Sequence, residues 1–167
     1  MKATDLLEKQ HRTVEGLFKK LEGGGGDIPA LLKELAADLA AHMIVEQEIF
    51  YPAVLKVKED LVLEGYEEHA AAEGALKRLL KTSPKDVTFK AKVTVLKELI
   101  EHHVKEEEGD LFPKVEKALG AERLTELGRK MKPLFDEMHD AGHERAMTRS
   151  HKTAGDKGAH RAESAES

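Results

Sequence analysis

The sequence predicts an all-α protein, an up-down-up-down four-helix bundle with an additional C-terminal helix, and three observations carry this. Leu, Ala, Glu and Lys dominate a chain in which 35% of residues are charged, the profile of a helical protein. Glycine and proline are mostly confined to short stretches that punctuate the chain. Between those stretches apolar residues recur at alternating spacings of three and four, the period of a helix face that packs into a bundle. At 167 residues the chain fits one core. It divides into residues 1–120 as the bundle, 121–147 as a fifth helix packed on it and 148–167 as a disordered tail.

The first helix runs from about Thr4 to Glu22 and stops at the four glycines Gly23–Gly26, whose backbone entropy is too costly to fix. Asp27 caps the second, Pro29 sits in its first turn, and it continues to about Tyr51 before Pro52. The third covers roughly Leu61 to Lys81. Ser83 reads as the cap of the fourth, with Pro84 at its first position and apolar periodicity through Glu108. Gly109 and Pro113 are expected to kink it before Leu119. Gly120 terminates it, and the fifth helix, about Ala121 to Ala146, carries Leu124, Leu127, Met131, Leu134, Phe135 and Met138, with a bend at Pro133. Beyond Met147 no large apolar residue could anchor the chain.

Several classes of function are excluded. The chain has no cysteine, so thiolate metal sites, iron–sulfur clusters and cysteine nucleophiles are ruled out, and any metal must bind through nitrogen and oxygen. Apolar runs fall far short of the ~20 residues needed to span a bilayer, and the N-terminus lacks a secretory signal, so the expected location is cytoplasmic with no membrane partner. A net charge of −5 with both signs interspersed offers no basic stripe for nucleic acid. A monomer or weak homodimer is expected.

The core stripes carry the functional signal. In spacings of three and four, the second helix gives Ile28, Leu32, Leu35, Leu39, His42, Glu46 and Ile49; the fourth gives Phe89, Val93, Leu96, Ile100, His103 and Glu107. The third gives Val62, Tyr66, His69, Glu73, Leu76 and Leu80, and the first gives Leu7, His11, Val14, Phe18 and Leu21. One inward His is more often a hydrogen-bonded structural residue than a ligand. Three helices that each place His and, four residues later, Glu on the packing face are not explained that way. Buried carboxylates without a partner cost several kcal/mol or protonate, and no Lys or Arg interrupts these stripes. The compensating charge is therefore expected to be a metal, with His11, His42, Glu46, His69, Glu73, His103 and Glu107 as ligands. His102 lies one position off its stripe, and His139 and His143 read as surface residues.

The chain also repeats itself. His42, Glu46 and Pro52 match His103, Glu107 and Pro113 at identical offsets, and His11 with Glu15 echoes His69 with Glu73. The first two helices look like a duplicate of the next two, with the metal site on a pseudo-two-fold axis between them.

On His11, His42 with Glu46, His69, and His103 with Glu107 followed by Leu111-Phe112-Pro113, the sequence over about residues 4–119 resembles the hemerythrin-like, His-His-Glu cation-binding family. That resemblance implies two non-haem iron ions, oxo- or hydroxo-bridged, with Glu46 and Glu107 bridging and the histidines as terminal ligands. Oxygen-carrier hemerythrins have a fifth His where this chain has Glu73, and an Asp five residues after the last His where Glu107 follows by four. Both departures point away from a plain carrier. Ferritin-like sites use Glu followed three residues later by His, and no such pair lies on a core stripe here. Zinc takes about four ligands in one site, fewer than the set proposed. The expected small ligand is dioxygen, hydrogen peroxide or nitric oxide. Two classes of function stay open: a reactive centre with catalase-like or peroxide-reducing activity, and a non-enzymatic module that senses or stores oxygen, iron or nitric oxide. Tyr66, one turn before His69, is a candidate hydrogen-bond donor to the centre. Of Glu15 and Glu73, only Glu73 is expected to bind metal, because Val14 holds the stripe beside Glu15.

Overall fold

The computed structural model describes residues 1–149, and among these it is all helical, with no strand. The elements are α1 (Ala3–Glu22), α2 (Ile28–Val45), α3 (Tyr51–Val54), α4 (Glu59–Leu80), α5 (Phe89–Glu106) and α6 (Phe112–Ala141). Two five-residue π-turns, Glu46–Phe50 and Glu107–Leu111, carry α2 into α3 and α5 into α6 without a loop. Asp27 caps α2 as expected, accepting a hydrogen bond from the Ala30 amide at 3.1 Å.

Several boundaries differ from expectation. The fourth helix was expected from Ser83, but α5 starts at Phe89. Two successive turns take up the intervening residues: the Asp86 amide donates to the Ser83 carbonyl at 2.9 Å and the Phe89 amide to the Asp86 carbonyl at 3.1 Å. The Asp86 carboxylate then accepts from the Thr88 amide at 2.8 Å, a local bond that competes with helix. Gly120, at φ +74°, breaks α6 as a residue with a Cβ would resist doing, and the helix resumes at once. A second break at Gly142 was not foreseen; residues 143–149 are helical again. Ala146 and Met147 are buried there, and Arg149 pairs with Glu48 through two contacts of 2.8 Å. The rest of the expected tail, residues 150–167, lies outside the described residues.

The apolar core is two clusters rather than one. The first holds Val14, Phe18, Leu39, Leu76 and Leu96; the second holds Leu7, Phe50, Tyr51, Val62, Leu111 and Phe112. On each of the four helices a buried histidine falls between the two: His11 between Leu7 and Val14, His42 between Leu39 and Phe50, His69 between Val62 and Leu76, His103 between Leu96 and Leu111. The core is thus cut across by one polar layer.

Candidate metal centre

That layer is built from corresponding positions of the two halves. His42 and His103 stand in the last turns of α2 and α5, and each is followed by a glutamate that opens a π-turn, Glu46 or Glu107. His11 of α1 and His69 of α4 face them. All six side chains are buried. Glu46 Oε2 lies 3.0 Å from His69 Nε2, 3.2 Å from His42 Nε2 and 3.8 Å from His103 Nε2. Glu107 Oε2 lies 3.4 Å from His11 Nε2 and 3.6 Å from His103 Nε2. Donor atoms close enough to share a cation form two groups: His11, His42, Glu46 and Glu107, and Glu46, His69 and His103.

Each imidazole is aimed by a partner on its outer nitrogen. His42 Nδ1 donates to Gln10 Oε1 at 2.8 Å, His103 Nδ1 to Glu68 Oε2 at 2.5 Å and His11 Nδ1 to Glu108 Oε1 at 2.8 Å. The Gln47 amide lies 3.0 Å from His69 Nδ1. With Nδ1 engaged outward, Nε2 is left to face the centre. Sequence reasoning missed all four partners, yet each is the immediate neighbour of a predicted ligand, and they pair across the repeat: Gln10 with Glu68, Gln47 with Glu108.

Tests of fit favour a cation. His11 Nε2, both oxygens of Glu46 and Glu107 Oε2 are buried without a hydrogen-bond partner, and such orphaned acceptors are uncommon and costly. His69 Nε2 and His103 Nε2 face each other at 3.2 Å. Burial opposes ionisation of Glu46, but His42, His103 and His69 outweigh it and hold its carboxyl well below the usual range. At His103 burial is overcome by Glu107, Glu46 and Glu68, which raise the imidazole well above its ordinary value; His11 is raised in the same way, chiefly through Glu107. Burial keeps His69 below its ordinary value. The carboxylates thus draw positive charge onto the layer, and a cation held by neutral imidazoles satisfies the same demand.

Two expected site residues are elsewhere. Glu73 pairs with Lys77 at 2.9 Å and belongs to neither donor group around Glu46. Tyr66 donates its hydroxyl to the Gln47 carbonyl at 3.2 Å rather than to the centre. The cause is one shift of register. The buried line of α4 is Val62, Gly65, His69, Ala72, Leu76 and Leu79, so the small residues Gly65 and Ala72 face inward where the larger Tyr66 and Glu73 were placed. Glu15 pairs with Arg12 at 3.1 Å and also stays out of the cluster.

The tyrosine at the centre is Tyr51. Its hydroxyl donates to Glu107 Oε1 at 2.9 Å and lies 3.3 Å from His69 Nε2, and its ring stacks on His69 with centroids 5.4 Å apart. Burial, reinforced by Glu107 and Glu46, pushes the phenol well above its usual range. Gly65 makes the placement possible: a Cβ there would sit 2.6 Å from the hydroxyl oxygen. In the other half Phe112 takes the place of Tyr51 and stacks on His11, centroids 6.0 Å apart, while Leu7 takes the place of Gly65. Of the two halves, only the one with Tyr51 places a phenol hydroxyl at the centre.

Buried nitrogen and oxygen donors converging from both halves of a helical repeat define a candidate cation centre in an all-helical protein. The family profile described as Hemerythrin HHE cation binding domain matches residues 2–115, and the chain belongs to that family. It is similar to a solved structure, the hemerythrin HHE cation binding domain-containing homolog of Rv2633c from Mycobacterium kansasii, with a TM-score of 0.76 and 26% identity, covering 84% of this chain and 89% of that one. The uncharacterized protein Rv2633c of Mycobacterium tuberculosis is 26% identical over 146 residues, 83% of this chain and 88% of its own length. A DNA nickase from Nostoc sp. (strain PCC 7120) is 27% identical over 135 residues, 79% of this chain, but the chain spans only 38% of that protein's length. Among the described residues no helix is long and apolar enough to cross a membrane.

Proposed function

We propose that the chain is a non-haem di-iron protein that reacts with dioxygen or hydrogen peroxide. His11 and His42 would hold one iron and His69 and His103 the other, with Glu46 and Glu107 as the carboxylates they would share. The observation that supports this most is the convergence of His11 Nε2, both Glu46 oxygens and Glu107 Oε2, all buried without a hydrogen-bond partner, on donor groups close enough to share a cation. Glu46 belongs to both donor groups, as a bridging carboxylate requires. When bound, two irons supply redox chemistry toward a small oxygen species. With Glu73 outside, the chain offers six donor side chains rather than seven, which leaves more of the metal positions to that species. Tyr51 holds a proton beside the centre on the hydroxyl it shares with Glu107, and the apolar clusters above and below exclude water. A cleft of about 10 Å³ lined by Gly65, Glu68, Tyr51 and Glu107 leaves room for about one water-sized molecule. The order of the two apolar clusters reverses from α1 to α2 and again along α4 and α5, which supports an up-down-up-down bundle covered by the segment after Gly120.

Metal analysis followed by stopped-flow mixing of the reduced protein with dioxygen, and separately with peroxide, tests the proposal. Close to two irons per chain and turnover are expected. A stable, reversible adduct without turnover would instead assign the chain to sensing or storage, and absence of iron would overturn the centre itself.

A further inference from the structure

A second group of donors lies away from the central layer. Glu34 and Asp38 are one turn apart on α2, and His139 stands opposite them in the last turn of α6. Asp38 is only 7% exposed, and its Oδ2 is buried without a hydrogen-bond partner. Burial raises its pKa against the pull of His139, so the charged form is only partly compensated there. His139 Nε2 lies 3.3 Å from Glu34 Oε1 and 3.6 Å from Asp38 Oδ1. Hydrogen bonds of this type favour about 2.7–3.2 Å. Donors sharing one ion at ~2.0–2.2 Å stand about 3.0–3.6 Å apart in tetrahedral or octahedral arrangement, which fits the observed spacing better. Phe135 stacks on the imidazole with centroids 5.8 Å apart and fixes its plane.

We infer that Glu34, Asp38 and His139 form a mononuclear site for a divalent transition-metal cation, separate from the central layer. One imidazole and two carboxylates suit borderline divalent ions, and the adjoining groove, lined by Lys33, Gly142 and His143, leaves the remaining positions to water. The ion would tie the end of α6 to α2 one helical turn outward from His42.

The test uses the full chain, stripped of metal by a chelator and titrated with Zn²⁺, with calorimetry for affinity and metal content measured after gel filtration. His139→Ala and Asp38→Asn should each lose one equivalent of Zn²⁺ or bind it at least about tenfold more weakly, since loss of even an orienting partner costs about 10–100-fold. Glu34→Gln should do the same, and because Glu34 is largely exposed its substitution leaves the fold intact. Glu46→Ala, by contrast, should keep the outer equivalent while disturbing the centre, so the two sites fail independently. Unchanged stoichiometry and affinity in Glu34→Gln and His139→Ala would overturn the inference.

Discussion

Tyr51 owes its position to a missing atom on a neighbouring helix. A methyl group at residue 65 would overlap its hydroxyl, so Gly65→Ala should push the ring off Glu107 and His69, at a cost of about 1–3 kcal/mol for overpacking. At this chain length that lowers Tm by about 2–4 °C per kcal/mol. Tyr51→Phe removes the hydroxyl without the clash. If Gly65 acts through Tyr51, the reaction with peroxide should change in the same direction in both variants, and adding Gly65→Ala to Tyr51→Phe should change it little further; additive effects would separate the two residues. The ligand assignments are tested at the same scale. Glu46→Ala or Glu107→Ala should lose at least one metal ion, and His103→Ala should lose metal where His102→Ala does not. Glu73→Gln should leave metal content unchanged, because its carboxylate meets Lys77 rather than the centre. Retention of both ions in Glu46→Ala would remove it from between them.

The helices were legible in the sequence because their period and their glycine and proline stops are local properties. The six central donors were legible because charge on an apolar stripe is rare. The π-turns were not, since a turn closed from residue i to i+5 has no compositional mark of its own. Their trace lay in the repeat: Pro52 and Pro113 are the second residues after them, in the first turn of the next helix, where a missing N–H is tolerated. The extra residue in each turn rotates the helix beyond it, and this brings Tyr51 inward although a regular helix places it aside. On α4 two inward lines differ by one residue, and hydrophobicity favoured Tyr66 over Gly65; only the partner side chain that fills the space decides. Deleting the exposed Gly109 should return that turn to α-helical register, closing the widened turn that Glu107 opens while Phe112 stays one turn after it. The expected result is a chain with near-normal far-ultraviolet circular dichroism and reduced metal content. Full metal content would show that the widened turn is dispensable.

For the molecule as a whole, the division of the apolar core would make cations held at the histidine layer part of the fold. Each helix is held at both ends by apolar contacts and in the middle by the histidine layer, where the carboxylates repel one another unless positive charge intervenes. Removal of metal by a chelator should therefore lower Tm and broaden the transition, since the two clusters lose what couples them. Binding at about 1,000-fold excess over Kd contributes ~4 kcal/mol, a shift easily resolved by calorimetry, and a metal-free form with unchanged Tm and width would refute this. The same layer also communicates sideways. Glu68 holds His103 through one oxygen while its other oxygen lies 3.1 Å from the exposed His102, and Glu108 joins His11 to Arg12. His102 and Arg12 are thereby surface reporters wired to an interior that solvent does not reach, and the ring resonances of His102 would record the filling of a centre it never touches.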